Sequence, residues 1–458
     1  MRPHISRSSI GKLYAAVLIS AMTFFAAGCS KNSSTNPMIS PGGASVQGDV
    51  IGGPGLMRAG HQQYFAPNSS SVPHDPPAGG VEGATVSLAQ VQVDGSLKTV
   101  STGSVKTDAT GHFSINTDLN DVSDLVAVAT EGSTQWEAMI SGQVASGNAV
   151  ECQPLTNQTT VAAQAYSRIV ADGKSNGLTT SDLQVFVSPS VAASVTGNSS
   201  AIASLAAAIE DEETAQSTAF SQFSISAAQL AMATTAREQA QVELESALYS
   251  AAGDSSKDNS ALGTYSATTI GAYIAAANIP VEVLAKTEEI ACSSLVSSSA
   301  SMSAGAQFSI EQSADLIRAG LIGEVIVTEL EAGGATQSEV ASADSADAGL
   351  LTAINLAISS GDLATAFANY HFAIMAQLQA MSGTGGSAVA RADNDLNITG
   401  GPHATLENAL VAASTSGAVV QAYMTFYASV GTMMQGVGGM SGAQLDAATQ
   451  ILMLVDSN

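Results

Sequence analysis

Between residues 44 and 153 the chain runs in short stretches of apolar and polar alternation separated by turn signals. From residue 154 onward the apolar positions recur at helical spacing instead. Alternation places every second side chain on one face of a strand, whereas recurrence at i, i+3, i+4 and i+7 builds a stripe on a helix. The first pattern predicts strands over Ala44 to Ile51, Ala84 to Gln92, Leu97 to Lys106, His112 to Asn116, Leu125 to Thr130, Trp136 to Ser141 and Ala149 to Gln153. Asp94-Gly95 reads as a hairpin turn between two of them. The second pattern is carried by Ile202, Leu205, Ala206 and Ile209, in a stretch from Asn198 to Ala252 that holds neither glycine nor proline. It is clearest in Leu363, Phe367, Tyr370, Ile374, Leu378 and Met381, one face of a single helix. Further helices are expected over residues 266–279, 281–300, 309–331, 346–359, 404–436 and 442–455. The fold class expected is therefore multidomain α and β, with antiparallel strands over 44–153 followed by an all-α bundle over 154–458.

Composition makes the helical part unusual. Hydrophobic residues are 45% of the 458, yet aromatics are only 5%, and much of the apolar share is alanine, which buries little area per side chain. Small side chains let helices approach closely, so a compact bundle with a thin core is expected. Lys and Arg number 14 against 39 acidic residues, for a formal charge of −25. Such a balance excludes nucleic acid as a partner and gives no basic patch for an anionic membrane.

Within the strand region, Gly83-Ala84-Thr85-Val86-Ser87-Leu88 is followed by Thr107-Asp108-Ala109-Thr110-Gly111-His112-Phe113-Ser114-Ile115. Asp108 to Gly111 forms a tight turn in which glycine takes positive φ, and Phe113 and Ile115 then alternate onto one face. These residues resemble the carboxypeptidase regulatory-like, prealbumin-like β-sandwich over roughly residues 45 to 153. The resemblance implies a structural or ligand-binding module with no active site of its own. A Gly/Pro/Ser-rich insertion near 52–80, expected to be a long disordered loop, departs from the family pattern. So does the run Leu125-Val126-Ala127-Val128, where the family often has a tyrosine-bearing strand.

The amino end carries Arg2, Arg7 and Lys12, an apolar centre from Leu13 to Phe25, and the small residues Ala26, Ala27 and Gly28 before Cys29. This is the layout of an export signal over residues 1–28, and its apolar centre is short of the roughly 20 residues a membrane span needs. Ala26-Ala27-Gly28-Cys29 resembles the lipobox of bacterial lipoproteins, with alanine at position 26 where leucine is commoner. The resemblance implies that Cys29 becomes the first residue and is acylated, anchoring the chain to the membrane. Ser30 in place of aspartate resembles the outer-membrane sorting pattern. Residues 29–43, rich in Ser, Asn, Pro and Gly, read as a flexible tether.

The chemistry visible in the chain is sparse. Cys152 and Cys292 either form one disulfide joining the two regions or remain two buried thiols. Asp393-Asn394-Asp395-Leu396-Asn397 reads as a loop between two helices, and Asp393, Asp395 and Asn397 resemble the first half of a calcium loop. Ile398 and Ala404 stand where that loop needs glycine and glutamate, so a solvated polar loop is the competing reading. Asp118, Asn120, Asp121 and Asp124 form a similar polar segment. The run Glu210 to Glu213 is expected on a solvated helix face. Gly361-Asp362-Leu363 with Ala366, Tyr370, Ala373 and Ile374 resembles part of one tetratricopeptide-type helix pair, without a second copy. Met433, Met434 and Met440 suit either soft-metal binding or packing, and Trp136 with Phe113 either sugar stacking or core. The six histidines stand apart from any nucleophile or metal-ligand spacing, and no serine elbow, zinc helix or phosphate loop is present, so no cofactor is expected. The function expected is a non-catalytic, lipid-anchored envelope protein with an envelope protein or glycan as partner. The alternatives are an envelope hydrolase with a scattered site and a small-ligand receptor.

Overall fold

The computed structural model describes residues 44–51, 80–119, 122–140, 149–175, 186–232 and 277–457, with positions 144, 178 and 183. The export signal, Cys29, the tether, the insertion and residues 266–276 of an expected helix lie outside the described residues. The amino-terminal region consists of antiparallel sheets and the remainder is helical.

Eight strands are described: β1 Ala44–Asp49, β2 Thr85–Val91, β3 Leu97–Thr99, β4 Val105–Lys106, β5 His112–Thr117, β6 Leu125–Glu131, β7 Thr134–Met139 and β8 Ala149–Glu151. One sheet has the order β5-β1-β8 and the other β3-β2-β6-β7, with β4 also on β2. Among the described strands the pairings are antiparallel except β1 with β8, where Val46 lies opposite Val150 in a parallel register that the Val50–Leu155 bridge continues. The strand expected over Leu97 to Lys106 is broken in two. Thr99 faces Ala89 and Val105 faces Val86, so more chain is spent on this side than on β2 and the excess bulges outward. Ser101 holds the bulge by accepting, through its hydroxyl, a bond from the Leu88 N–H at 3.1 Å. The Asp94-Gly95 hairpin and the Asp108 to Gly111 turn are both present. Gly111 has φ +86, and the Asp108 carboxylate accepts from the Thr110 and His112 N–H groups.

Val46, Phe113 and Ile115 from the first sheet and Val86, Leu88, Leu125, Ala127 and Trp136 from the second share one core. The opposite face of the second sheet is covered as well. Val91, Val126 and Met139 pack against Val161, Ala165, Tyr166 and Ile169 of α1, Asn157–Ala171. Burial on both faces is why β6 reads as an unbroken apolar run through Leu125 to Val128, the stretch that departs from the family pattern. Polar bonds fix the same contact. Tyr166 donates its phenol hydrogen to Asp124 at 2.5 Å, and the Thr160 hydroxyl accepts from the Glu137 N–H at 2.9 Å. Residue 153 is thus a change of secondary structure and not a gap in packing.

Beyond α1 come α2 Pro189–Val195, α3 Ser199–Gln222, α4 Val281–Ser298, α5 Ala304–Gly333, α6 Gln337–Leu356, α7 Ser360–Met381, α8 Gly386–Asn397, α9 Pro402–Ala412, α10 Ser416–Met434 and α11 Gly442–Val455. Side-chain caps set most of the starts. Thr336 and Glu339 form a capping box on α6, and Ser441 with Gln444 another on α11. The helix expected over 404–436 is two helices, because Thr415 leaves helical geometry and its side chain caps α10 through the Ala418 N–H. The loop expected at Asp393 to Asn397 is the last turn of α8. Val389, Ala392 and Leu396 are buried at helical spacing and pin that segment as a helix. The stripe on α7 is buried as read, with Phe367 half-buried. The acidic run on α3 is not solvated: Glu210 and Glu212 are buried, because α3 packs along α4. Glu210 accepts from Lys174 at 2.8 Å, and Asp211 accepts from the Ser294 and Ser298 hydroxyls. No described helix is long and apolar enough to cross a membrane.

The helices of this thin core meet where side chains are missing. At Gly323 of α5 a methyl group would fall 1.5 Å from the Asp347 carboxylate of α6. Gly349, exposed on α6, has nothing within 4 Å of the same position. Replacing Gly323→Ala is expected to destabilise the protein by about 2 kcal/mol through overpacking. Gly349→Ala should instead stabilise by roughly 0.5–1 kcal/mol through helix propensity. Urea unfolding of the two variants checks the opposite signs.

Candidate functional site

α7, α8 and the residue that ends α11 bring their polar groups to one point. His371 sits one residue past the buried Tyr370 on α7, which turns it from the apolar stripe toward α8 and the carboxyl end of the chain. Its Nε2 lies 2.9 Å from Oδ1 of Asp393 and 3.0 Å from Oδ1 of Asp456. Both neighbours are carboxylates, so Nε2 carries a proton and donates to both. Asn397, one turn beyond Asp393 on α8, donates through Nδ2 to Asp456 Oδ1 at 2.9 Å and to Asp393 Oδ1 at 3.2 Å. The exposed ring of Phe372 meets the imidazole edge-on at 5.9 Å.

Burial differs across the group and decides its electrostatics. The Asp456 side chain is 1% exposed, Asp393 17% and His371 23%. Burial opposes the charge on His371, yet its hydrogen bonds to Asp393 and Asp456 outweigh it and raise its pKa to about 9. Burial pushes Asp456 above the usual carboxylate range, against the hydrogen bonds from His371 and Asn397. One oxygen of Asp456 is satisfied twice. The other, Oδ2, is buried without a hydrogen-bond partner among the described residues.

The next residue anchors a second polar group. Ser457 donates to Oε1 of the fully buried Glu289, whose Oε2 accepts from Tyr427 at 2.7 Å. Burial raises Glu289 to about 7, despite the nearby Arg318 and these two hydrogen bonds. Arg318 reaches Asp315 at 3.6 Å and lies over the Phe367 ring. Lys286 donates to Gln450 and sits 5.5 Å from the Tyr427 ring centre. These partners lie on α4, α5, α7, α10 and α11, with Ser457 just past α11, so the group ties five helices together.

Chemically, the first group can do two things. It can hold one shared proton between an imidazole and two carboxylates, or it can offer one nitrogen and two oxygens to a metal ion. His371, Asp393 and Asp456 present donor atoms within 4.8 Å of one another. Sequence reasoning missed the set because its members are far apart in the chain and follow no ligand spacing. Of the calcium-loop residues, Asp393 and Asn397 share the group while Asp395 is exposed and points elsewhere, since residues two apart diverge around a helix. Cys152 and Cys292 are not joined, and both are buried, in the strand core and among the helices respectively. Asp124 serves Tyr166, while Asn120 and Asp121 lie outside the described residues. Met434 is buried and Met433 and Met440 half-buried against the helical core, so these sulfurs pack. Trp136 and Phe113 are both core residues. His112 pairs with Asp49 at 3.1 Å on the surface.

Comparison of the chain with protein-family models, with curated proteins and with solved structures gives no match in any of the three.

The His371 group makes stability depend on pH. Its folded pKa of about 9 exceeds the unfolded 6.5, so its contribution is complete below 6.5 and is lost as pH rises through about 9. In chelator-treated buffer, the wild type is expected to lose on the order of 2 kcal/mol between pH 6.5 and 9.5 relative to His371→Ala, discounted for partial exposure. At pH 7 His371→Ala should destabilise more than Asp456→Asn, because only the former leaves a buried carboxylate uncompensated. Denaturant titrations across pH test both.

Proposed function

We propose that this chain is an exported bacterial lipoprotein, held to the envelope through acylated Cys29, with a structural or binding role and no catalysis of its own. The run Phe24-Phe25-Ala26-Ala27-Gly28-Cys29 carries the reading, because a charged start, a short apolar centre and small residues before cysteine form a processed lipid-attachment signal. More than one acyl chain on a cysteine is enough for stable anchoring. With Ser30 following, the destination is the outer membrane. The tether at 29–43 lets the body stand off the lipid, and the acidic charge keeps the body from lying on an anionic surface.

On this reading the strand region is a prealbumin-like sandwich that serves as a spacer, and the helices behind it form a bundle that presents a surface to an envelope protein or glycan. Two features support a scaffold. The sheet and the helices share a core through α1, so force on the tether is transmitted to the body instead of to a hinge. Buried polar side chains also link the helices, since Tyr427 of α10 and Ser457 just past α11 both bond to Glu289 of α4.

Intact-mass and peptide analysis of the protein purified from envelopes tests the anchor. The expected product begins at Cys29 and carries acyl chains on its sulfur and amine, and Cys29→Ala abolishes incorporation of a fatty-acid label. A mature product that begins elsewhere, or an unmodified Cys29, overturns the reading.

A further inference from the structure

We propose that His371, Asp393 and Asp456 form a binding site for a divalent zinc ion that clamps the carboxyl end of α11 to α7 and α8. The inference goes beyond the anchoring reading and stands independently of what Cys29 carries.

Three observations converge on it. First, the donor atoms are already gathered: Nε2 of His371 lies 2.9 and 3.0 Å from the two carboxylate oxygens. Zinc bonds of roughly 2.0–2.2 Å in tetrahedral geometry separate ligand atoms by about 3.4 Å, so each nitrogen–oxygen pair need open by only about half an ångström, and all three donor atoms already lie within 4.8 Å of one another. Second, Asp456 keeps a buried oxygen, Oδ2, that no described residue satisfies. A buried acceptor without a donor is costly, and a cation that Asp456 held through both of its oxygens would relieve it. Third, the charge does not close. One imidazolium leaves a net negative charge against two carboxylates, and a neutral imidazole leaves two, which a dication cancels.

The donor types choose the metal. Calcium and magnesium take oxygen alone and favour six or more ligands, whereas one imidazole with two carboxylates suits zinc, leaving a fourth position for water. Asn397 donates to both aspartates and so holds their carboxylates in place, the supporting role outer groups play around metal ligands. His371 and Asp393 are partly exposed, so an ion reaches the site without the core opening.

Zinc is titrated into the full-length, detergent-solubilised protein after chelator treatment, in competition with a chromogenic chelator. The expected result is one high-affinity zinc per chain, weakened at least tenfold by His371→Ala and by Asp456→Asn, and unchanged by Asp395→Asn, whose side chain lies outside the group. Circular dichroism establishes that each variant is folded. X-ray absorption of the zinc-loaded wild type gives a readout independent of any variant and should show one imidazole nitrogen with oxygen ligands. Zinc binding that His371→Ala leaves intact, loss equal in Asp395→Asn, an all-oxygen or sulfur ligand set, or no binding by the wild type overturns the proposal and leaves the group as a proton-sharing strap.

Discussion

Ionisable side chains buried among alanine-rich helices are the constraint on which the rest of this structure turns. Alanine and glycine bring the helices close but give each interface little apolar area, so single polar groups weigh more than in an aromatic-rich core. Glu289, Asp315 and Asp347 all lie in such interfaces, and burial raises their pKa values to about 7, 6 and 7 respectively. For an acid raised in this way stability is complete below its unfolded pKa and falls as pH climbs through the folded value. These three groups therefore stabilise the helical region less as pH rises from about 4 to 7. Its excess of surface acid acts in the same direction, since self-repulsion grows as the remaining carboxyls ionise.

The carboxyl end of the chain joins these interfaces. Two adjacent residues reach different partners: Asp456 binds His371 and Asn397, and Ser457 binds Glu289. An end held by a cluster spanning α7 and α8 and by a second spanning α4 and α10 cannot fray independently of the body. Asp456 and Ser457 are held by these hydrogen bonds, which is what orders residues beyond the last helix. The same geometry makes the first cluster the place where chemistry gathers. What holds the end of α11 is what presents a nitrogen and two oxygens to an ion.

At the other end, the sheets and the helices form a continuous body. β6 is covered by the first sheet on one face and by α1 on the other, and Tyr166 with Asp124 seals the contact. A spacer module joined by a flexible linker would leave that face polar. Strand and helical parts packed in this way share one core and not a hinge.

Much of this was legible in the sequence. Alternation marked β2, β5 and β7, an apolar run marked β6, and spacing marked α3, α7 and α11, because period is a property of neighbouring residues and survives without knowledge of the partner surface. The Asp108 to Gly111 turn is equally local. The sequence also carried two signals that were outweighed. Val389, Ala392 and Leu396 outline α8, and the polar letters between them read more loudly as a loop. In the run Glu210 to Glu213, charge suggested solvent where packing against α4 overrides it. What the tertiary structure alone decided is which distant residues meet: His371 with Asp393 and Asp456, Ser457 with Glu289, Gly323 with Asp347. The reason is physical. A helical period states which face is buried but not against what, and a site assembled from three helices depends on their relative rotation and crossing, which no spacing along one helix encodes.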